Sequence, residues 1–203
     1  MPDALQFSHL SAEDAVSPHG GNRFDVPGAG VLYAATDPQG CFTETLARYR
    51  PTAATRAIRA EPGEHLMEVG SVAADWRVRR SLVEFGLEDP LPFLDVDAPE
   101  THTYLTEEMA EEFVALGVEN IDVAIARGSN RLITRSIASW AFGAVDGSGE
   151  RRFSGLRYTS RLGDYECWAI FQGVAIIDRV DNAIANDDAR LLAVARAFDL
   201  TIH

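Results

Sequence analysis

The segment that decides the fold is PGAGVLYAATDPQGCFTETLARYRP, residues 27–51. Its first four residues predict a turn, and the apolar run Val31–Ala35 predicts a short buried strand. Asp37 is a typical N-cap and Pro38 suits the first helical position, so a helix follows the strand almost at once. That helix has to end before Pro51. The segment therefore predicts a turn, a strand, a tight turn and a helix in succession.

Outside this segment, predicted helices and strands follow one another without a regular alternation, which favours an α+β domain over a doubly wound sheet. The pattern predicts an irregular lead-in over residues 1–21 and a long loop over 88–99, and it leaves the type of 122–126 open. The other predicted elements are helices at 101–117, 130–142 and 187–198 and strands at 65–72, 77–86, 153–160, 166–171 and 200–202. We expect a single compact domain over residues 1–203, with a mixed central sheet and flanking helices.

Length, composition and charge narrow the class of protein. The 203 residues are 46% apolar and 24% charged, which suits one globular domain with a buried core. The net charge of −13 gives a surface that repels phosphate backbones, so direct nucleic-acid binding is not expected. A small anionic ligand stays compatible with this charge, because a pocket needs only a few local cations. Since the sequence shows no apolar run of membrane-spanning length and no signal peptide, the expected compartment is the cytoplasm, without a membrane partner.

Neither the cysteines nor the histidines show the spacing of a metal site. Cys41 and Cys167 are expected as buried reduced thiols, with a disulfide between them left open. His9 and His19 lie close in sequence to Arg23 and could line the mouth of a pocket, although a surface position is the simpler expectation. No metal and no bound cofactor is predicted, and the G-x-G-x-x-G dinucleotide fingerprint is absent.

Three segments carry residues suited to chemistry: GGNRFD at 20–25, the strand that leads to Glu44, and GLRYTSR at 155–161. Tyr33 follows Arg23 by ten positions, and Glu44 follows Tyr33 by eleven. Taken singly, each has an ordinary structural explanation, as a loop arginine, a core aromatic and a solvated helix residue. Their order and spacing together indicate a site.

The series G-x-R-F, V-L-Y-x-A, E-T-L and G-x-x-Y-x-S resembles the RES domain, from about residue 22 to residue 171. The resemblance implies a fold similar to that of ADP-ribosyltransferase toxins. Studied RES proteins are toxins of bacterial toxin–antitoxin pairs that consume NAD by hydrolysis or phosphorolysis. The resemblance thus implies NAD as substrate, with inorganic phosphate as a candidate co-substrate. It also implies a helix-turn-helix antitoxin that covers the site, and it is compatible with a homodimer.

Carried over residue by residue, the resemblance assigns Arg23 and Glu44 to catalysis and Arg23, Tyr33 and Ser160 to substrate binding. Thr159 is the alternative hydroxyl if the register is shifted by one position. A carboxylate suits this reaction because cleavage of the nicotinamide–ribose bond passes through an oxocarbenium-like state, positive at the ribose. A guanidinium pairs two phosphate oxygens at once, and a tyrosine can stack on nicotinamide or bind a ribose hydroxyl.

Several alternatives stay open at this point. RES domains usually carry an arginine near their first strand, but none precedes Arg23 here. Either the domain starts upstream of Met1 or this subgroup has lost the position, and a loss would weaken the affinity for NAD if that arginine helps to hold it. Arg23 could also be a loop arginine that pairs with Asp25. The same site could transfer ADP-ribose to a protein, or the chain could be a non-catalytic module that binds NAD or a partner. Further candidates for phosphate-binding cations are Arg127, Arg131, Arg157 and Arg161, most of which are expected to make ordinary surface pairs.

Overall fold

The computed structural model describes residues 3–58 and 68–203. The strands are β1 (Ser8–His9), β2 (Gly30–Ala35), β3 (Ser71–Val72), β4 (Ser81–Leu87), β5 (Phe93–Asp95), β6 (Gly155–Thr159), β7 (Glu166–Phe171), β8 (Ile176–Ala183) and β9 (Thr201–Ile202). The helices are α1 (Ala12–Ala15), α2 (Pro38–Leu46), α3 (Ala53–Ala57), α4 (Ala74–Val78), α5 (Pro99–Glu108), α6 (Ala110–Ala115), α7 (Val123–Ala126), α8 (Arg131–Gly143) and α9 (Ala189–Phe198), with a 3₁₀ turn at Ala47–Tyr49.

The central sheet has five strands in the order β1-β2-β7-β6-β5. β5 and β6 run parallel, and the other neighbours are antiparallel, so the sheet is mixed, as predicted. Tyr33 lies opposite Ala169, and both Ala35 and Tyr158 lie opposite Cys167. Because directly paired residues point to the same side, these side chains share one face of the sheet. The main core packs on that face, and α2 lies next to it beside β2.

Two hydrophobic cores hold the elements together. The larger core packs the sheet against α5, α6 and α8, and its fully buried side chains include Phe24, Leu105, Phe113, Ile137, Leu156 and Phe171. The smaller core joins α2 to α9 through Phe42, Leu46, Leu191 and Phe198, with Val72 of β3 beside them. The helix α2 is therefore anchored on its apolar side, which leaves its opposite side free to face a cleft.

The segment 27–51 folds as predicted, and its helix begins where the capping residues indicate. The Asp37 carboxylate accepts a hydrogen bond from the Gln39 backbone N–H at 2.7 Å, and Pro38 occupies the first turn. The predicted helices from 101, 130 and 187 are also present, the first as the pair α5 and α6. The residues whose type was left open, 122–126, form α7 after the N-cap Asp122.

Elements that bury little surface departed most from the prediction. The lead-in contains α1 and also β1, whose two residues pair with β2 at the sheet edge. The expected loop at 88–99 contains β5, which is too short for a periodic pattern. In the expected strand 77–86, the first two residues end α4, and β4 begins at Ser81. The exposed, polar strand β8 at 176–183 was missed because it shows no alternation.

The remaining strands form two separate ribbons. β4 and β8 pair antiparallel, and β3 and β9 pair parallel. Of the expected strand 65–72, the structure shows Ser71–Val72, and residues 65–67 lie outside the described part. Across 3–58 and 68–203, no helix is both long and apolar enough to cross a bilayer.

Candidate active site

A cleft of about 300 Å³ opens where the end of β2, the helix α2 and the start of α8 meet. Arg23, Tyr33 and Glu44 all line this cleft. Its full lining is Asn22, Arg23, Tyr33, Ala34, Ala35, Cys41, Glu44, Thr45, Arg131, Tyr158 and Cys167. The fourth expected residue, Ser160, reaches this cleft through its hydrogen bond to Glu44.

Glu44 presents an exposed carboxylate that one hydrogen bond orients. The Ser160 Oγ–H donates to Glu44 Oε1 at 2.5 Å, and the same oxygen of Ser160 accepts the Leu162 backbone N–H at 3.0 Å. Ser160 is only 3% exposed, so its hydroxyl has little freedom to turn elsewhere. Within the described residues, Glu44 Oε2 accepts no hydrogen bond. One oxygen is thus held by the protein, and the other is available to a ligand.

The two candidate hydroxyls of the segment 155–161 lie in different surroundings. The Thr159 backbone N–H donates to Asp97 Oδ2 at 2.6 Å, and Thr159 lines a separate small cavity with Asp95 and Glu166. Because neighbouring residues at a strand end point in different directions, only Ser160 reaches Glu44. The geometry therefore places Ser160, and not Thr159, beside the carboxylate.

Arg23 is 9% exposed and sits against aromatic rings. Its guanidinium carbon lies 4.8 Å from the centre of the Phe24 ring and 5.0 Å from that of Tyr158, and Nη2 donates to the Ala126 carbonyl at 2.8 Å. In the part of the chain that the structure describes, it makes no ion pair with Asp25, the alternative expected from sequence. Burial lowers the pKa of Arg23, and nearby guanidinium groups lower it further.

Tyr33 uses its hydroxyl to brace the loop that carries Arg23. The phenol donates to Asp25 Oδ1 at 2.9 Å and accepts the Phe24 backbone N–H at 3.1 Å. Asp25 is 1% exposed and also accepts the Asn22 backbone N–H at 2.6 Å. Burial and the Asp25 carboxylate raise the pKa of Tyr33 well above its usual value, so the phenol stays neutral. The ring of Tyr33 is consequently the part that faces the cleft.

The four further arginines considered from sequence have different roles. Arg127 and Arg157 form ion pairs with nearby aspartate and glutamate side chains. Arg161 donates to the Gly128 carbonyl at 3.1 Å and stays largely exposed. Arg131, the first residue of α8, lines the cleft. Three of the four thus lie outside the lining of the cleft, and Arg131 joins Arg23 in it.

Both cysteines line the cleft, which no spacing in the sequence indicated. They are free thiols, with Cys167 buried and Cys41 partly buried. Burial raises the pKa of Cys41 and raises that of Cys167 to about 12, so both thiols are neutral at physiological pH. The pairing of β7 with β2 explains the position of Cys167, because it puts this residue opposite Ala35.

Neither His9 nor His19 lines this cleft. His9 lies exposed on β1, at the edge of the sheet, in agreement with the simpler expectation of a surface position. Among the residues described, no three or more His, Cys, Asp or Glu side chains are grouped so as to hold a metal ion.

A larger cavity of about 940 Å³ lies between the sheet and the β4–β8 ribbon. Its lining includes Trp168 and Ile170, whose positions on β7 alternate with that of Cys167, and it shares Ala34, Ala35 and Cys41 with the cleft. Along β7, it therefore lies on the opposite face of the sheet from the cleft. None of the four expected site residues lines this larger cavity.

Comparison with known proteins agrees with the motifs on which this site is built. The family model described as RES domain matches residues 3–190, a range that includes Arg23, Tyr33, Glu44 and Ser160. Within that range no arginine precedes Arg23. No curated protein and no solved structure matches the chain, so the likeness to ADP-ribosyltransferase toxins stays a prediction. Since the match covers most of its length, the chain belongs to the RES domain family.

Proposed function

We propose that the protein cleaves the nicotinamide–ribose bond of NAD, by hydrolysis or phosphorolysis. Membership of the RES domain family is consistent with an NAD-related domain of the toxin type. The observation that carries the proposal is the pairing, in one cleft, of an oriented carboxylate with two guanidinium groups: Ser160 holds Glu44, while Arg23 and Arg131 share the same lining. Such a cleft suits a ligand that carries an anionic group and an atom at which positive charge develops during the reaction.

Glu44 would act on the ribose. As the bond from C1′ to the nicotinamide nitrogen breaks, its electron pair moves to that nitrogen, and nicotinamide leaves as a neutral molecule that needs no general acid. Positive charge develops at C1′ and the ring oxygen, and a carboxylate beside them stabilises it. The oxygen of Glu44 that accepts no hydrogen bond within the described residues is the one suited to this role.

The acceptor then bonds to C1′. Water would yield ADP-ribose and a proton, and inorganic phosphate would yield ADP-ribose carrying a phosphate at C1′. Glu44 can orient either nucleophile, and a cation in the cleft can hold phosphate. The ring of Tyr33, with its hydroxyl bound to Asp25, offers an aromatic surface on which nicotinamide can stack.

The direct test is to mix the purified protein with NAD, with and without phosphate, and to follow the release of nicotinamide. We expect release in at least one condition, and the product identifies the nucleophile by mass. Folded protein that releases no nicotinamide in either condition would refute the proposal. NAD labelled in its adenylate part should leave no label on protein from a lysate, since labelled protein would indicate ADP-ribosyl transfer.

The variant Glu44→Gln should lower nicotinamide release by at least a hundredfold, because it keeps the shape and the acceptor for Ser160 but removes the charge. The matched control is Glu107→Gln, which makes the same change at an exposed position of α5, away from the cleft. The two variants should unfold at similar temperatures. Undiminished turnover in Glu44→Gln would remove Glu44 from the mechanism.

We also propose that the protein acts as the toxin of a toxin–antitoxin pair, held inactive by a helix-turn-helix partner that covers the cleft. The support is the family resemblance, together with a cleft that is open at the surface. Co-expression with the product of a neighbouring helix-turn-helix gene should suppress nicotinamide release and protect the cleft from hydrogen exchange. If the co-expressed protein changes neither nicotinamide release nor hydrogen exchange in the cleft, the two proteins do not form a toxin–antitoxin pair.

A further inference from the structure

We propose that Arg131 and Arg23 together form an anion-binding subsite for a phosphate group in this cleft. In naming the ligand as the diphosphate of a nucleotide or as inorganic phosphate, the proposal rests on the proposed function. The subsite itself follows from the geometry of two arginines.

Both arginines carry a buried N–H group without an acceptor. The atoms are Arg23 Nε and Arg131 Nη1, and neither has a hydrogen-bond partner among the described residues. A buried charged donor left unpaired is costly, and proteins seldom retain one without use. Two such donors on side chains that line the same cleft indicate that the missing acceptor is a ligand.

Within the described residues, no carboxylate lies at ion-pair distance from this pair, although Glu44 acts electrostatically on Arg23 and Asp25 on Arg131. Neither Arg23 nor Arg131 makes an ion pair with any described residue, and the nearby Asp25 carboxylate is committed to the Asn22 N–H and the Tyr33 hydroxyl. Arg161 is close enough to add to the positive potential at both arginines. In a chain whose net charge is −13, three guanidinium groups close enough to act on one another are a local concentration of positive charge.

The backbone holds Arg131 firmly at this position. Asn130 caps α8 by accepting the Leu132 backbone N–H at 3.0 Å, and the Arg131 N–H donates to the Pro18 carbonyl at 2.8 Å. Arg131 is the first residue of a 13-residue helix, so the positive end of the helix dipole lies beside it. The lead-in before Arg23 is thus tied to the start of α8, which keeps the two guanidinium groups on the same cleft.

A phosphate group fits these donors best, because a guanidinium fork matches two of its oxygens. Its source is either the diphosphate of NAD or the inorganic phosphate that would attack the ribose. The two sources predict different losses when Arg131 is changed, and both can be measured with ligands that undergo no turnover.

The test measures, by calorimetry, the affinities of ADP-ribose, inorganic phosphate and nicotinamide for four proteins: wild type, Arg131→Gln, Arg131→Lys and Arg196→Gln. Arg196 is exposed on α9 and supplies the same change of net charge away from the cleft. We expect Arg131→Gln to weaken the binding of ADP-ribose, of phosphate or of both by about tenfold or more. A loss of this size corresponds to one charge-assisted hydrogen bond. Nicotinamide binding and the Arg196→Gln variant should stay within about twofold of wild type.

The pattern of losses identifies the source. If only the affinity for ADP-ribose falls, the subsite binds the diphosphate of the nucleotide. If only the affinity for phosphate falls, the subsite binds the inorganic phosphate that would attack the ribose. Arg131→Lys, which keeps the charge but not the fork, should recover part of the affinity, and it carries the test if Arg131→Gln does not fold. Wild-type affinities for both anions in the Arg131 variants would overturn the proposal, as would a wild type that binds neither at millimolar concentration.

The same proteins separate this proposal from the proposed function. A wild type that binds the anions through Arg131 but releases no nicotinamide would refute the NAD-cleaving activity and leave the subsite intact. If Arg131→Gln cleaves NAD with unchanged KM values for NAD and phosphate, the activity would stand and the subsite would be refuted.

Discussion

Glu44 and Ser160 are 116 positions apart in sequence, yet a single hydrogen bond joins them. The single proton of the Ser160 hydroxyl is donated to Glu44, and its oxygen also accepts the Leu162 backbone N–H. In the proposed reaction, we therefore expect Ser160 to act through Glu44, by fixing the direction of its carboxylate. In that role it is a positioning residue.

The substitution Ser160→Ala should lower kcat for nicotinamide release by about tenfold or more, because misdirection of the carboxylate weakens stabilisation of the transition state. The KM for NAD should change less. The loss of two partly buried hydrogen bonds, to Glu44 and from the Leu162 backbone N–H, should cost about 1–3 kcal/mol of unfolding free energy. Steady-state kinetics and denaturant titration of the same preparation measure the three quantities.

The control for this prediction is Thr159→Val, which removes the neighbouring hydroxyl and keeps the shape. Thr159 contacts Asp97 and not Glu44, so this variant should lose stability but keep most of its turnover. A greater loss of kcat in Thr159→Val than in Ser160→Ala would show that the hydroxyl was assigned to the wrong residue.

At the scale of elements, the close approach of α2 to the sheet places Glu44. Gly40 lies on the side of α2 that faces β2, and a Cβ there would come within 3.0 Å of Tyr165 Cβ and 3.1 Å of Ala35 Cβ. Distances this short are tighter than ordinary Cβ contacts, so a methyl group fits only if the helix, Tyr165 or Ala35 gives way by a few tenths of an ångström. The absence of a side chain at Gly40 therefore allows the close packing of α2, the helix that carries Glu44, against Ala35 and Tyr165.

The substitution Gly40→Ala should destabilise the protein by about 1–3 kcal/mol, the usual cost of overpacking, although alanine favours a helix over glycine. It should also lower turnover, because α2 has to move away from β2 and carries Glu44 with it. Thermal unfolding and nicotinamide release measure the two effects.

Gly143→Ala is the matched control for this prediction. Gly143 ends α8, and a Cβ there would meet nothing within 4 Å. This variant should be as stable as wild type or slightly more so, with unchanged turnover. If Gly40→Ala behaved like Gly143→Ala, close packing at α2 would not be what positions Glu44.

At the scale of the whole molecule, an ion pair ties the loop after β5 to the end of α7. Arg127 donates to both oxygens of Asp97, Nε to Oδ1 at 3.0 Å and Nη2 to Oδ2 at 3.1 Å. Burial alone would raise the pKa of Asp97, but the hydrogen bonds from Arg127 and Thr159 outweigh it and lower the pKa. Because Thr159 adjoins Ser160, this pair also supports the segment that holds Glu44.

The lowered pKa of Asp97 gives the stability a defined pH dependence. The unfolded chain binds the proton more tightly, so the stabilisation by Asp97 is fully present above its unfolded pKa of about 3.9. It is lost as the pH falls through the lower pKa of the folded state. Asp97→Asn should therefore be less stable than wild type by about 1–3 kcal/mol at neutral pH, with a difference that shrinks below about pH 4.

Denaturant titrations of both proteins across this pH range measure the effect. The control is Asp181→Asn, which removes a carboxylate from an exposed pair with Arg179 and should change stability little at any pH. A difference between wild type and Asp97→Asn that stays constant down to pH 2 would contradict this account of Asp97.

The sequence predicted most of the longer elements with a buried face, whereas the short helices α1, α3 and α4 were not predicted. The segment 27–51 was predictable because an apolar run, an N-cap and prolines act locally on the backbone. The helix α8 was predictable because one of its faces is apolar, with Ile133 and Ile137 buried. The strands β1, β5 and β8 were not, because they are short or exposed, and hydrogen bonds to distant strands determine them.

The candidate site was likewise predictable only in part. By itself, the sequence determined which residues are candidates, because the spacing of Arg23, Tyr33 and Glu44 and the motif around Ser160 can be read along the chain. Only the tertiary structure decided that Ser160 and not Thr159 reaches Glu44 and that Arg131 shares the cleft with Arg23. The physical reason is that these contacts join α2, α8 and the end of β6, and their geometry depends on how these elements pack, which no local pattern encodes.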